Sequence, residues 1–114
     1  MPYLPEDAAR RLIDTVHRLS APGSTIAIEH TDNPKSTLDD PRTRAIQQEY
    51  DVDLGMLFAD VAHADPEGQL AALGWQVTGA FGGELAERYG RSLGGAFAEV
   101  FAEKSRYSSG TLPL

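Results

Sequence analysis

The sequence predicts an α/β fold of about three strands with flanking helices. Segment 6–20 carries its apolar residues on one stripe at helical spacing, which is typical of a helix that packs through one face. The apolar run 24–30 follows without strict alternation, as in a strand covered on both faces of a largely parallel sheet. Segment 75–81 alternates apolar and polar residues as far as Gly79, which favours a second strand. Helices interleaved with such strands indicate a layer of helices on a sheet.

Size and charge narrow the class of protein. A chain of 114 residues forms at most one domain with a modest core, and 41% hydrophobic residues are near the average for folded domains. A net charge of −7 would repel the phosphate backbone of nucleic acids. The chain has no cysteine, no apolar run of membrane-spanning length, and charged residues where a signal peptide needs an apolar core. We therefore expect a cytoplasmic protein that binds neither nucleic acid nor membrane.

Cap and turn residues predict where helices begin and end. Pro-Gly at 22–23 should close the first helix. Asp-Pro at 40–41 combines an N-cap with a proline in the first turn and predicts a helix to about Tyr50. The same pair recurs at 65–66, and Gly74 supplies the left-handed residue that commonly ends a helix.

The remaining segments show weaker patterns. We expect a loop over 31–41, which is polar and rich in turn formers. The apolar patch at 54–61 is too short to distinguish helix from strand. Short helices over 84–89 and 96–104 and a last strand over 107–112 complete the prediction.

Several short motifs occur in a fixed order along the chain. They are Tyr-Leu-Pro at 3–5, Ser-Ala-Pro-Gly-Ser at 20–24, Glu-His at 29–30, Leu-Gly-Trp-Gln-Val-Thr at 73–78, Glu-Leu at 84–85 and Tyr-Gly-Arg at 89–91. In this combination the chain resembles the C-terminal half of a class I S-adenosylmethionine-dependent methyltransferase of the leucine carboxyl methyltransferase type. The resemblance covers nearly the whole chain.

The resemblance implies a particular fold and activity. Residues 1–114 would form a single partial domain of a Rossmann-like sheet, with strands in the order five, seven, six, the seventh antiparallel, and a helical insertion over the active site. The family's first four strands, its glycine-rich loop and its ribose-binding acidic residue lie upstream of the Tyr-Leu-Pro motif. The implied function is methyl transfer from S-adenosylmethionine to an oxygen, by a truncated chain that alone binds no cofactor and is inactive.

Three residues are candidates for substrate binding, and no catalytic residue is predicted. Glu29 and His30 come at the carboxyl end of the predicted parallel strand, where open α/β sheets place their ligand crevice. For Tyr3, a contact with the methyl acceptor is what the resemblance implies. Structural alternatives stay open: Glu29 as a cap or ion-pair partner, His30 as an exposed side chain, and Tyr3 as a frayed terminal residue.

Other conspicuous residues are interpreted structurally. Segment 79–83 is glycine-rich but lacks the Gly-x-Gly-x-x-Gly order, so we predict a turn and not a phosphate loop. His17, His30 and His63 are far apart and have no cysteine companions, so no metal site is predicted. We expect His17 to be exposed and Trp75 to anchor the core.

The absent upstream half has a further implied consequence. One side of the strand at 25–29 would lose its partner, and the helix faces that packed on that half would be exposed. Three hypotheses remain open: a truncated methyltransferase; a non-catalytic interaction or oligomerisation module, whose strand edge pairs with itself or with a separately encoded upstream half as in a split enzyme; and a decayed gene product.

Overall fold

A computed structural model describes residues 3–31, 33–58 and 65–114 of the chain. Helices and strands are numbered in chain order within these segments. They are α1 (Glu6–Leu19), β1 (Thr25–Thr31), α2 (Pro34–Asp39), α3 (Pro41–Tyr50), α4 (Leu54–Phe58), α5 (Pro66–Ala72), β2 (Gln76–Phe81), α6 (Gly82–Arg88), α7 (Ala96–Lys104) and β3 (Ser105–Thr111). None of the helices in these segments is both long and apolar enough to cross a bilayer.

The three strands form one sheet in the order β1-β3-β2. Strand β3 pairs antiparallel with both neighbours, so β1 and β2 share a direction and lie at the two edges. This is the order and the direction of the last strand that the resemblance implies. The expectation of a largely parallel sheet is wrong for the described strands, because β3 separates the two that run the same way.

Side-chain alternation gives the sheet two different faces. Helices α1 and α5 cover the first, which we call the covered face, and its core centres on Ile13, Leu70 and Trp75. Trp75 is only 4% exposed, which confirms it as a core anchor. Gly110 lies beneath this core: a Cβ atom there would come within 3.2 Å of Ile26, so the bare backbone allows the close packing. The partly buried hydrophobic residues around the core are Ile26, Ile28, Leu73, Val77 and Leu112.

The opposite face of the sheet, which we call the open face, is covered at one end by residues that the structure describes. There α6 packs beside Tyr107, α7 packs on α6, and Ala80 is buried. Further along the strands the side chains are small and exposed: Thr25, Ala27, Gln76, Thr78, Ser109 and Thr111.

The loop expected over 31–41 is wrong in part, because α2 occupies Pro34–Asp39. The Asn33 side chain accepts a hydrogen bond from the Ser36 N–H at 3.0 Å, and Pro34 stands in the first turn. This is the same cap-and-proline start that was recognised at 40–41. There the prediction is confirmed, since Asp40 caps α3 by accepting from the Arg42 N–H at 2.9 Å.

Two further boundaries are confirmed and one is wrong. Asp65 caps α5 by accepting from the Gly68 N–H at 2.9 Å, and Gly74 follows the helix with φ +90°. The turn predicted over 79–83 does not form, because β2 continues to Phe81 and α6 begins at Gly82. No glycine of that segment has a positive φ.

The segments with weaker sequence patterns are helices and a strand in the structure. The start of the segment 54–61 is helical, as α4, and its end lies outside the described residues, as does His63. The predicted helices at 84–89 and 96–104 correspond to α6 and α7. The last strand is confirmed, but it begins at Ser105 and not at residue 107.

Candidate functional site

Consecutive residues at the end of β1 point to opposite faces of the sheet. Glu29 is exposed on the open face, whereas His30 is 6% exposed on the covered face. The alternative of an exposed His30 is therefore wrong. Because side chains alternate along a strand, the two candidates do not converge on one site.

His30 belongs to a polar group that we call the Glu67 cluster, comprising His30, Glu67, Arg106 and Ser108. Its Nε2 lies 3.1 Å from Glu67 Oε1 and 3.2 Å from Ser108 Oγ. The Ser108 hydroxyl donates to Glu67 Oε1 at 2.5 Å. Arg106 Nε donates to the same oxygen at 2.8 Å, and its Nη2 donates to Oε2 at 3.3 Å. One carboxylate on α5 thus joins residues of β1 and β3.

The environment of Glu67 keeps it ionised. Hydrogen bonding to Arg106 is the largest cause that lowers its pKa, to about 2, with Ser108 and His30 adding to the effect while burial opposes it. A carboxylate with so low a pKa is a weak base at neutral pH.

The Glu67 cluster contains a serine, a histidine and a glutamate, the residue types of a hydrolytic triad, but its connections differ. A triad needs the imidazole between hydroxyl and carboxylate, with one ring nitrogen facing each. Here Nε2 of His30 faces both groups, and Ser108 donates directly to Glu67. The arrangement supports holding three elements together and not nucleophilic attack. Among the described residues, no group of His, Asp and Glu is placed to hold a metal ion.

On the open face, Glu29 lies opposite Tyr107 in the β1–β3 register. Burial raises the pKa of Tyr107, and so do the charge and hydrogen bonding of Glu29. The phenol therefore keeps its proton at neutral pH and remains a hydrogen-bond donor. Tyr107 is 41% exposed, so a ligand can reach this pair from solvent.

Next to this pair is a groove of about 370 Å³ between α6 and the open face. Its polar lining includes Thr78 and Ser109, whose hydroxyls are 3.1 Å apart, and its other side is formed by α6. We call it the open-face groove. The side chains that line it include Thr78, Ala80, Leu85, Tyr89, Tyr107 and Ser109.

Tyr3, the third candidate, precedes α1 and is 61% exposed. Glu29 interacts with Tyr107 on β3, whereas His30 contacts Ser108 on β3 and Glu67 on α5. The three candidates are thus held by different parts of the structure, with Tyr3 and Glu29 accessible and His30 enclosed.

A second groove follows the edge of the sheet, between α1 and β1. It has a volume of about 240 Å³ and is mainly apolar; we call it the edge groove. Leu12 at its border is 45% exposed. The residues that line it are Leu12, Ile13, Val16, Ile26, Ala27, Ile28 and Glu29.

Sequence reasoning missed the partners of His30. Arg106 and Ser108 are two residues apart and so share a face of β3, a spacing visible in the sequence. The predicted strand started at 107, which excluded Arg106. Glu67 directly follows the Asp-Pro pair at 65–66, which was interpreted only as a helix start.

The expectation that His17 is exposed is also wrong. Trp75 Nε1 donates to His17 Nδ1 at 3.1 Å, and the two rings pack edge to face with centroids 6.4 Å apart. His17 is half-buried by this contact.

Comparison with known proteins adds to this geometry. Among the curated proteins similar to this chain are three with the name "Putative S-adenosyl-L-methionine-dependent methyltransferase". They come from Mycolicibacterium gilvum, Saccharopolyspora erythraea and Mycobacterium tuberculosis, and are 41%, 40% and 38% identical to this chain over 81, 93 and 95 residues. This chain is a homologue of these methyltransferases.

The alignments cover most of the chain but only part of each relative. They include 68%, 82% and 82% of the chain, and 27%, 32% and 30% of the three relatives. The chain thus spans about a third of the length of these methyltransferases. No family model matches it. The names of the relatives support S-adenosylmethionine as the cofactor of the family.

Proposed function

We propose that this chain is the acceptor-side part of an S-adenosylmethionine-dependent O-methyltransferase of the leucine carboxyl methyltransferase-like family, with a Rossmann-like class I fold. The observation that carries the proposal is the identity of 38–41% to the methyltransferase relatives. The sheet order β1-β3-β2, with β3 antiparallel, supports it as the five-seven-six order that the resemblance implies. A composition without cysteine supports a cytoplasmic location.

The proposal divides the reaction between two parts of a methyltransferase. Bound S-adenosylmethionine supplies an electrophilic methyl group, and catalysis depends largely on holding donor and acceptor in line. We assign the binding of the methyl donor to residues of the relatives outside the third of their length that aligns with this chain. The chain alone therefore binds no cofactor and is inactive.

Within the chain, we propose Tyr3, Glu29 and His30 for the acceptor side. Tyr3 and Glu29 are accessible, and a small molecule or peptide can contact them directly. Tyr107 stays protonated and donates its single O–H to Glu29, so it can orient that carboxylate and accept a hydrogen bond from a substrate through its oxygen. His30 is enclosed by Glu67 and Ser108, so its proposed part is to position the end of β1, which carries Glu29.

Calorimetric titration of the chain with S-adenosylmethionine tests the division. We expect no saturable binding, with a full-length relative as the positive control. Micromolar affinity at one site per chain would refute the claim that the chain has no cofactor site. Methyl transfer by a mixture of the chain with the upstream part of a relative, and by neither alone, would support the acceptor-side role.

The edge of the sheet favours a second candidate function: an interaction or oligomerisation module, or half of a split enzyme. Among the described strands, β1 has a neighbour, β3, on one side only, and the edge groove beside it is mainly apolar. An unpaired strand edge can add a strand from another chain. The apparent mass in solution distinguishes the two versions. A mass that rises with the concentration of the chain alone supports the oligomerisation module, and one that rises only on mixing with the upstream part of a relative supports the split enzyme.

A further inference from the structure

The Glu67 cluster lies on the reverse side of the sheet from Glu29 and Tyr107. We call these two residues the open-face pair, since they are opposite each other in the β1–β3 register. One member of the cluster, His30, directly follows Glu29 in the sequence, and its two members on β3 stand on either side of Tyr107. Because side chains alternate along a strand, these neighbours point to the covered face, where they contact one carboxylate.

We propose that Glu67 is a positioning residue for the open-face pair: its contacts on the covered face set how closely Glu29 approaches Tyr107 on the open face. The inference rests on the proposed function, which assigns Glu29 to the methyl acceptor. It adds a residue that has no contact of its own with the acceptor and acts on it through the sheet.

The contacts with the carboxylate limit rotation of each strand about its own axis. Arg106 Nε and the Ser108 hydroxyl donate to Glu67 Oε1 at 2.8 and 2.5 Å, one from each side of position 107. His30 Nε2 lies 3.1 Å from the same oxygen and holds β1 at the position next to Glu29. If either strand rotated, its side chains on the two faces would move in opposite directions. Loss of these contacts should therefore change the separation of phenol and carboxylate on the open face.

The covered face is better enclosed than the open-face pair. The side chains of His30, Glu67 and Arg106 are 7%, 26% and 21% exposed. The Arg106 guanidinium also lies over the Phe81 ring, with Cζ 4.8 Å from the centroid. Charge-assisted hydrogen bonds are stronger in such an environment than in water. Tyr107 is 41% exposed, so the geometry of the open-face pair should follow that of the Glu67 cluster.

Gly79 offers a way to move the carboxylate without changing any charge. It lies opposite Ser108 in the β2–β3 register. A Cβ atom there would overlap the Glu67 carboxylate and come within 2.6 Å of Arg106 Nη2. Both are ends of flexible side chains, and Gly79 is not among the glycines with a positive φ. G79A should therefore fold with the carboxylate and the guanidinium displaced.

An absorbance titration of tyrosinate measures the effect, with Y107F identifying the signal of Tyr107 and circular dichroism checking the fold at each pH. Glu29 raises the pKa of Tyr107, so a longer separation should ease ionisation. We expect E67Q and G79A each to increase the ionisation constant of this phenol by a factor of roughly two or more, as coupling between linked residues implies. The matched control is I13V, which loses stability in the apolar core but removes no atom of the Glu67 cluster. It should leave the ionisation of Tyr107 unchanged.

The same substitutions in an E29Q background separate positioning from charge. If Glu67 acts by placing Glu29, then E67Q and G79A should have no effect on Tyr107 once the carboxylate of Glu29 is gone. Equal effects in both backgrounds would overturn the proposal. So would a Tyr107 that ionises as in the natural chain in E67Q, G79A or E29Q, or an I13V effect of the same size. If E67Q failed to fold, the comparison with G79A would decide alone.

Other groups near the phenol do not affect the comparison. Arg88 and Tyr89 line the open-face groove with Tyr107, and they are the same in every variant. The tyrosinate titration uses neither a methyl acceptor nor S-adenosylmethionine, so the positioning role of Glu67 can fail while the methyltransferase proposal stands. The calorimetric titration with S-adenosylmethionine tests that proposal separately.

Discussion

The two faces of the sheet differ in what their side chains contact. On the covered face, Ile13, Leu70 and Trp75 form an apolar core, and the Glu67 cluster completes that layer with charged hydrogen bonds. On the open face, the side chains beyond the end that α6 covers are small or polar, and exposed. Stability should therefore depend mainly on the covered face, whereas ligands have access mainly to the open one. Residues adjacent in sequence, such as Glu29 and His30, lie on opposite faces of the sheet.

The largest expected effect is that of Trp75→Ala. Removing a large buried aromatic side chain should lower the free energy of unfolding by about 4 kcal/mol. Gln76→Ala, at the adjacent exposed position, should change it by less than about 0.5 kcal/mol. Urea unfolding followed by circular dichroism measures both. Similar losses for the two variants would contradict the contrast between the faces.

Glu67→Ala should have the next largest effect. It leaves Arg106, Ser108 and His30 without their shared acceptor, and we expect a loss of about 2–3 kcal/mol in the free energy of unfolding. Glu84→Ala removes an exposed carboxylate at the start of α6 and should cost less than about 0.5 kcal/mol. If the two glutamates proved equivalent in urea unfolding, the Glu67 cluster would not stabilise the fold.

The Glu67 cluster should also make the free energy of unfolding depend on pH. The pKa of Glu67 falls from 4.5 to about 2 on folding, so its ionised form stabilises the fold above pH 4.5. That contribution is lost as the pH falls through about 2. The difference in unfolding free energy between the natural chain and E67Q should therefore shrink from pH 5 to pH 2. Asp40, whose pKa is also lowered to about 2, is present in both proteins and cancels. A difference that stays constant over this range would show that Glu67 is not the group responsible.

The smallest expected effect lies on the open face. Glu29→Gln removes the negative charge beside Tyr107 and should lower the raised pKa of that phenol, with little change in stability. Absorbance of tyrosinate in an alkaline titration measures this. The chain has four tyrosines, so Y107F is needed to identify the signal of Tyr107. If the pKa of Tyr107 were the same in E29Q, Glu29 would not act on the phenol, and the proposed acceptor site would lose this support.

Local signals predicted the fold better than the site. Asp40, Asp65 and Gly74 act through atoms a few residues away, and their positions set helix ends as expected. The same logic applied to Asn33-Pro34 would have predicted α2. By contrast, His30 and Ser108 are 78 positions apart and meet only because β3 lies next to β1. No local pattern carries that contact, although alternation along β1 already separates Glu29 from His30.

The direct passage of β2 into α6 also determines how the open-face groove can respond to a ligand. A Cβ atom at Gly82 would lie 3.4 Å from the Ala102 backbone, and one at Gly83 would lie 3.3 Å from the Ala102 carbonyl oxygen. At these two glycines α6 approaches α7 through main chain, which leaves α6 little room to move towards α7 there. A ligand that entered beside Tyr89 would therefore be accommodated by the exposed side chains of α6 and not by a shift of that helix towards α7.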